Sequence, residues 1–115
     1  MRIIFLVISL LSFHTLAHMQ APRELNEVVY VQFPQVELTL GNAYDVDKVY
    51  SLEVNGYLVE EAIRLKGNQV KKQLIQLPKV EPNKVNRFRV CSMTAATQEV
   101  RSKICSRVNV YYPQR

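Results

Sequence analysis

Tryptophan is absent from this sequence, and histidine nearly so: His14 and His18 are the only two. With so little imidazole, no Ser-His-Asp or Cys-His arrangement can be assembled in the body of the chain. No HExxH stretch, Cys-x-x-Cys pair or multi-histidine zinc pattern occurs. Glycine is equally scarce, and Gly41, Gly56 and Gly67 lie too far apart to form a phosphate-cradling loop. No apolar run reaches the roughly 20 residues of a membrane-spanning helix. Internal repeats, low-complexity tracts and nucleic-acid-binding motifs are lacking as well. These absences argue against an enzyme, and no catalytic residue is nominated.

What is present begins with an export signal. Arg2 precedes an apolar run, Ile3–Leu11, in which only Ser9 is polar, and Thr15-Leu16-Ala17 is a small-x-small cleavage sequence. Residues 1–17 therefore read as a cleavable signal peptide, and no cysteine follows the run to suggest a lipid anchor. The expected organisation is then an extended lead-in over 18–26, one domain over 27–113 and a short tail at 114–115. A chain of that size is a single small domain. An even pair of cysteines in an exported chain favours a disulfide, and with it a periplasmic or secreted location.

Strand patterns fill the domain. Val28–Phe33 is β-branched and aromatic, and Val36, Leu38 and Leu40 alternate with Glu37 and Thr39. Asn55-Gly56, the strongest short hairpin signal, divides Val49–Val54 from Tyr57–Ile63 or else marks a bulge in one longer strand. Over residues 60–77 two readings stand. Ile63, Val70, Leu74 and Leu77 fall at helical spacing, whereas Gly67-Asn68 favours strand, turn and strand.

The clearest alternation lies in Asn86–Thr94 and Lys103–Tyr112. Phe88 and Val90 share one face of the first run, and Ile104, Val108 and Val110 share one face of the second. Setting Cys91 opposite Cys105 brings Phe88 against Val108 and Val90 against Ser106, so the apolar faces match. In a non-hydrogen-bonded antiparallel pair, Cα atoms stand about 4.5 Å apart, within disulfide range. A Cys91–Cys105 disulfide is expected, the alternative being two free buried thiols. The same register gathers Arg87, Arg89, Lys103 and Arg107 on the opposite face. That basic face is the candidate partner-binding surface, and its simpler reading is a solvated one.

Gln76-Leu77-Pro78, Asn86–Cys91 and Ser102–Tyr112 together resemble the E–F–G end of a fibronectin type III or immunoglobulin-like domain. The resemblance covers the C-terminal third. It implies an all-β, small antiparallel immunoglobulin-like β-sandwich following the signal peptide. Asn86 stands where those families usually have tyrosine, the core tryptophan is missing, and the cysteines would join neighbouring strands. A fold of this breadth implies no particular function.

Three further groups carry side chains with possible chemistry. After signal cleavage His18 would join an α-amine to an imidazole, a pair that can chelate copper(II). Without a second histidine, an unstructured terminal residue is the plainer expectation, so copper stands only as the alternative to no cofactor. Asn42, Asp45 and Asp47 are too few for a calcium loop and read as a polar turn. Glu60-Glu61 would point to opposite faces of a strand, so they cannot converge on a substrate. Net charge is +5, with the basic residues spread along the chain. The expected function is an exported, non-enzymatic protein-binding or structural accessory module of a bacterial cell-envelope assembly. Its partner would be another protein, acidic or envelope-associated, rather than nucleic acid.

Overall fold

The computed structural model describes residues 17–94 and 102–115. The expected signal peptide lies outside them except for Ala17. Eight strands are formed: β1 (His18–Ala21), β2 (Glu24–Val28), β3 (Gln35–Asn42), β4 (Lys48–Val54), β5 (Tyr57–Leu65), β6 (Gln69–Gln76), β7 (Val85–Thr94) and β8 (Lys103–Tyr111). They make two sheets, β1-β3-β6 and β2-β8-β7-β4-β5. All pairings are antiparallel except β2 with β8. The result is the immunoglobulin-like β-sandwich that the sequence resembles.

Alternation explains most of these strands. Val36, Leu38 and Leu40 of β3 point inward from one sheet. Tyr50, Leu52 and Val54 of β4, Phe88 and Val90 of β7, and Val108 and Val110 of β8 meet them from the other. Burying one such side chain contributes about 1.5–3 kcal/mol, so these positions hold the sheets together. Residues 60–77 form the hairpin, not the helix. Gly67 packs against the next loop so closely that an added Cβ would lie 2.6 Å from the Asp45 carbonyl oxygen. Asn55 and Gly56 both take positive φ, at 51° and 85°, as a tight two-residue hairpin requires.

The N-terminal third differs from expectation. Residues 18–26, expected as a lead-in, supply β1 to one sheet and β2 to the other, with a cis Ala21–Pro22 bond between them. The inward side chains of β1 are His18 and Gln20, so no apolar alternation marks it. The strand expected over Val28–Phe33 is not formed. Pairing ends after Val28, where Val29 N–H donates to the Tyr111 carbonyl at 2.9 Å. The chain then crosses the end of the sandwich to reach β3. The carbonyls of Gln32 and Pro34 accept from Val80 and Leu77 on the way, leaving Tyr30, Val31 and Phe33 exposed.

The β7–β8 hairpin has the expected register, with Phe88 opposite Val108, Arg89 opposite Arg107 and Cys91 opposite Cys105. Cys91 and Cys105 are disulfide-bonded with Cα atoms 4.0 Å apart. Asn86 takes over the corner role of the missing tyrosine. Its Oδ1 accepts from Glu81 N–H at 2.8 Å, and its Nδ2 donates to the Glu81 carbonyl at 2.9 Å. These bonds tie the β6–β7 connection to strand β7.

Replacing both cysteines with serine should leave the fold intact and lower its stability by about 3 kcal/mol, the entropy of a loop this long. Urea unfolding of the variant and the oxidised wild type measures the difference directly.

Candidate functional site

The outer face of the five-stranded sheet carries the basic residues. Strand pairing arranges them in rows running across β2, β8 and β7. Glu24, Arg107 and Arg89 form one row, Asn26, Asn109 and Arg87 the next, and Val28, Tyr111 and Val85 the last. Asn55, at the β4–β5 turn, closes the first row by accepting from the Arg89 backbone N–H at 2.9 Å. Arg87, Arg89, Arg107, Asn55 and Asn109 line a shallow depression of about 540 Å³.

Among the described residues, no carboxylate lies within ion-pair distance of Arg87, Arg89 or Arg107. Glu24 is beside Arg107 in register, yet its Oε1 accepts from Asn109 Nδ2 at 3.2 Å. Lys103 stands apart from the arginines, beyond the disulfide. Glu53 engages it at 3.5 Å, so its charge is partly neutralised. The arginine trio is thus the uncompensated part of the basic face. Directly opposed like charges destabilise a sheet by a fraction of a kcal/mol, and an arriving anion would relieve that cost.

Backbone hydrogen bonds show where the sheets can accept another strand. Thr94 N–H donates to the Ser102 carbonyl at 3.0 Å, which makes that pair hydrogen-bonded. By alternation, Cys91–Cys105 and Arg89–Arg107 are non-hydrogen-bonded pairs, and the N–H and C=O of Lys103, Cys105 and Arg107 point away from β7. Arg107 N–H accordingly reaches the Arg23 carbonyl at 2.8 Å. Strand β2 covers β8 only from Arg107 onward, so among the described residues no strand pairs with the edge at Lys103 and Cys105. The edges at β5 and β6 are guarded. Strand β5 is irregular, with two register shifts against β4, and carries Glu60 and Glu61, while β6 carries Lys71 and Lys72. Bulges and edge charges of this kind discourage pairing.

Inside the sandwich, below that open edge, lies a polar cluster that strand alternation does not reveal. Ser92 Oγ donates to Gln20 Oε1, so it must accept from His18 Nε2, 2.8 Å away. This leaves His18 Nδ1 as the acceptor for Ser102 Oγ at 2.7 Å. Gln20 Nε2 donates to Ser106 Oγ and to the Val90 carbonyl, and Ser106 Oγ donates to the Pro22 carbonyl. The side-chain polar atoms of His18, Gln20, Ser92 and Ser106 all find partners, as buried polar groups require, whereas the buried Tyr50 hydroxyl beside them has none among the described residues. His18 also stacks on Tyr50, ring centroids 4.6 Å apart.

His18 is therefore a buried strand residue and not a loose terminus. Its two ring nitrogens are held by Ser92 and Ser102, and a copper ion would have to displace one of them. Among the described residues no three His, Cys, Asp or Glu side chains are grouped to hold a metal. Asn42 is buried and holds the β3–β4 loop, donating to the carbonyls of Val46, Leu65 and Lys66. Asp47 accepts from Gly67 N–H, and Glu60 accepts from Gln73. The structure brings Arg87, Arg89 and Arg107 together as expected and adds Asn55 and the Val28–Tyr111–Val85 row. Tyr111 shares the period-two face of Arg107, so it was visible in the sequence; Val28 reaches the row only through the parallel pairing of β2.

No protein-family model and no curated protein matches the sequence. Solved structures do resemble the fold. The E. coli chaperone DraB superposes with a TM-score of 0.63 at 14% identity, over 84% of this chain and 55% of DraB. The CsuC–CsuE chaperone–tip adhesion subunit pre-assembly complex, from archaic chaperone-usher Csu pili of Acinetobacter baumannii, contains a chain that matches with a TM-score of 0.56 at 13% identity. That match covers 83% of this chain and 56% of the other. The present chain thus spans a little over half the length of each. At this identity the likeness establishes a shared immunoglobulin-like fold.

Burial lowers the His18 pKa from 6.5 to about 4. The unfolded chain therefore binds the proton more tightly than the folded one. The contribution of neutral His18 is complete above pH 6.5 and shrinks as pH falls through that window towards 4. Denaturant midpoints at pH 7, 6, 5 and 4 should decline for wild type and decline less steeply for His18→Gln.

Proposed function

We propose that this protein is an exported binding module of a bacterial cell-envelope assembly. On this reading it engages another protein through the open edge of β8 and the neighbouring arginine face. The observation that carries it is the Arg87–Arg89–Arg107 trio, uncompensated among the described residues, beside the stretch of β8 that no described strand covers. Main-chain pairing at Lys103 and Cys105 would supply affinity, and the arginines would select for an acidic partner.

The solved structures with this fold support the same direction. One is called a chaperone, and the other is a chaperone complexed with a tip adhesion subunit before assembly. A subunit of a surface fibre is accordingly the partner class we favour. The signal sequence and the Cys91–Cys105 disulfide fit action outside the cytoplasm.

The decisive experiment is capture from an envelope extract of the source cells, comparing wild type with the triple variant Arg87→Glu, Arg89→Glu, Arg107→Glu. Wild type should retain a specific protein, and the variant at least tenfold less, at an unchanged unfolding midpoint because all three side chains are exposed. Equal recovery by both would move the contact to another surface.

A further inference from the structure

The three rows of the outer face differ in chemistry along one direction. From Arg107 to Tyr111 along β8, the face presents two arginines flanked by Glu24, then an arginine beside two asparagines, then an apolar row. Val28, Val85 and Tyr111 in that last row are 55%, 53% and 38% exposed and border a hollow of their own, of about 210 Å³. Side chains on one face of a strand recur every second residue, about 6.8 Å apart. An extended peptide lying along β8 repeats at the same spacing, so its alternate side chains meet successive rows.

We infer that this face binds an extended acidic segment of the form acid-x-acid-x-apolar. The first carboxylate lies between Arg89 and Arg107, the second on Arg87, and the apolar side chain on the Val28–Tyr111–Val85 row. This deepens the reading given above and rests on it, since it names the partner chemistry of the same arginine face. Charge complementarity selects this occupant. Three guanidiniums without a carboxylate, in a concave site, match planar carboxylates in bidentate fashion. Glu24 does not fill the role, because its carboxylate is held by Asn109. A purely basic ligand is repelled, and a purely acidic one leaves the exposed apolar row uncovered.

The test is a backbone-amide NMR titration of the protein with a blocked peptide containing Glu-Thr-Glu-Thr-Leu. Shifts are expected at Arg87, Arg89, Arg107, Asn109 and Tyr111, weakening as salt is raised. The permuted peptide Glu-Glu-Thr-Thr-Leu, whose acids point to opposite sides, should bind at least fivefold more weakly. So should Gln-Thr-Gln-Thr-Leu with the wild type, and the parent peptide with the Val28→Ser, Val85→Ser variant. Equal binding of the permuted peptide overturns the row-by-row reading. Shifts at these residues with phosphatidylglycerol vesicles and not with the peptide overturn it in favour of a lipid surface. Sedimentation of wild type as a dimer that Arg89→Glu dissociates makes a second copy the occupant, and overturns it too. If no peptide binds while envelope capture still depends on the arginines, this inference falls and the proposed function stands.

Discussion

One pairing organises this molecule: β7 against β8, with Cys91 opposite Cys105. A slip of one residue would turn every side chain of a strand to the other face. In the observed register, Phe88, Val90, Val108 and Val110 all enter the core, while Arg87, Arg89 and Arg107 all face solvent. The disulfide holds this register covalently. The same choice sets which backbone groups of β8 point outward, and so where β2 can dock and where the edge stays open. Core, charged face and open edge are consequences of one alignment.

The second constraint is how the N-terminal segment closes the sandwich. Strand β1 belongs to one sheet and β2 to the other, so the segment spans the gap beside β8. Gln20 and His18 bridge that gap by hydrogen bonds to Ser92, Ser102 and Ser106 instead of by apolar packing. A polar seam is directional, because each donor must meet its acceptor. It ties the two sheets together in one alignment at the flank where β8 remains partly uncovered. The polar seam and the arginine face therefore meet on one strand: Ser106 completes the seam from within, and its neighbours Cys105 and Arg107 line the outer depression.

The sheet edges differ in how they are protected. Strand β5 is distorted by register shifts and carries two glutamates, and β6 presents adjacent lysines. Such features keep a small sandwich from polymerising through its edges. The upper part of β8 carries no such protection beyond Lys103, which Glu53 partly neutralises. An edge left open beside an uncompensated arginine cluster is a surface suited to recognition.

Local sequence marked the alternation of β3, β7 and β8, the register that pairs the two cysteines and the three-arginine cluster, and it offered the turns at Asn55-Gly56 and Gly67-Asn68 as one of two readings each, which the structure decided. Each rests on period-two alternation or on turn residues that need positive φ, and both are legible within a few positions. Only the tertiary structure decided the rest. Strands β1 and β2 are short, and β1 turns polar side chains inward, so no hydrophobic period marks its role. Whether Val28 joins Tyr111 and Val85, whether Lys103 meets Glu53, and whether His18 is loose or buried depend on partners up to 84 residues away. Those contacts are set by how the two sheets stack and by where the chain crosses between them, which no local pattern encodes.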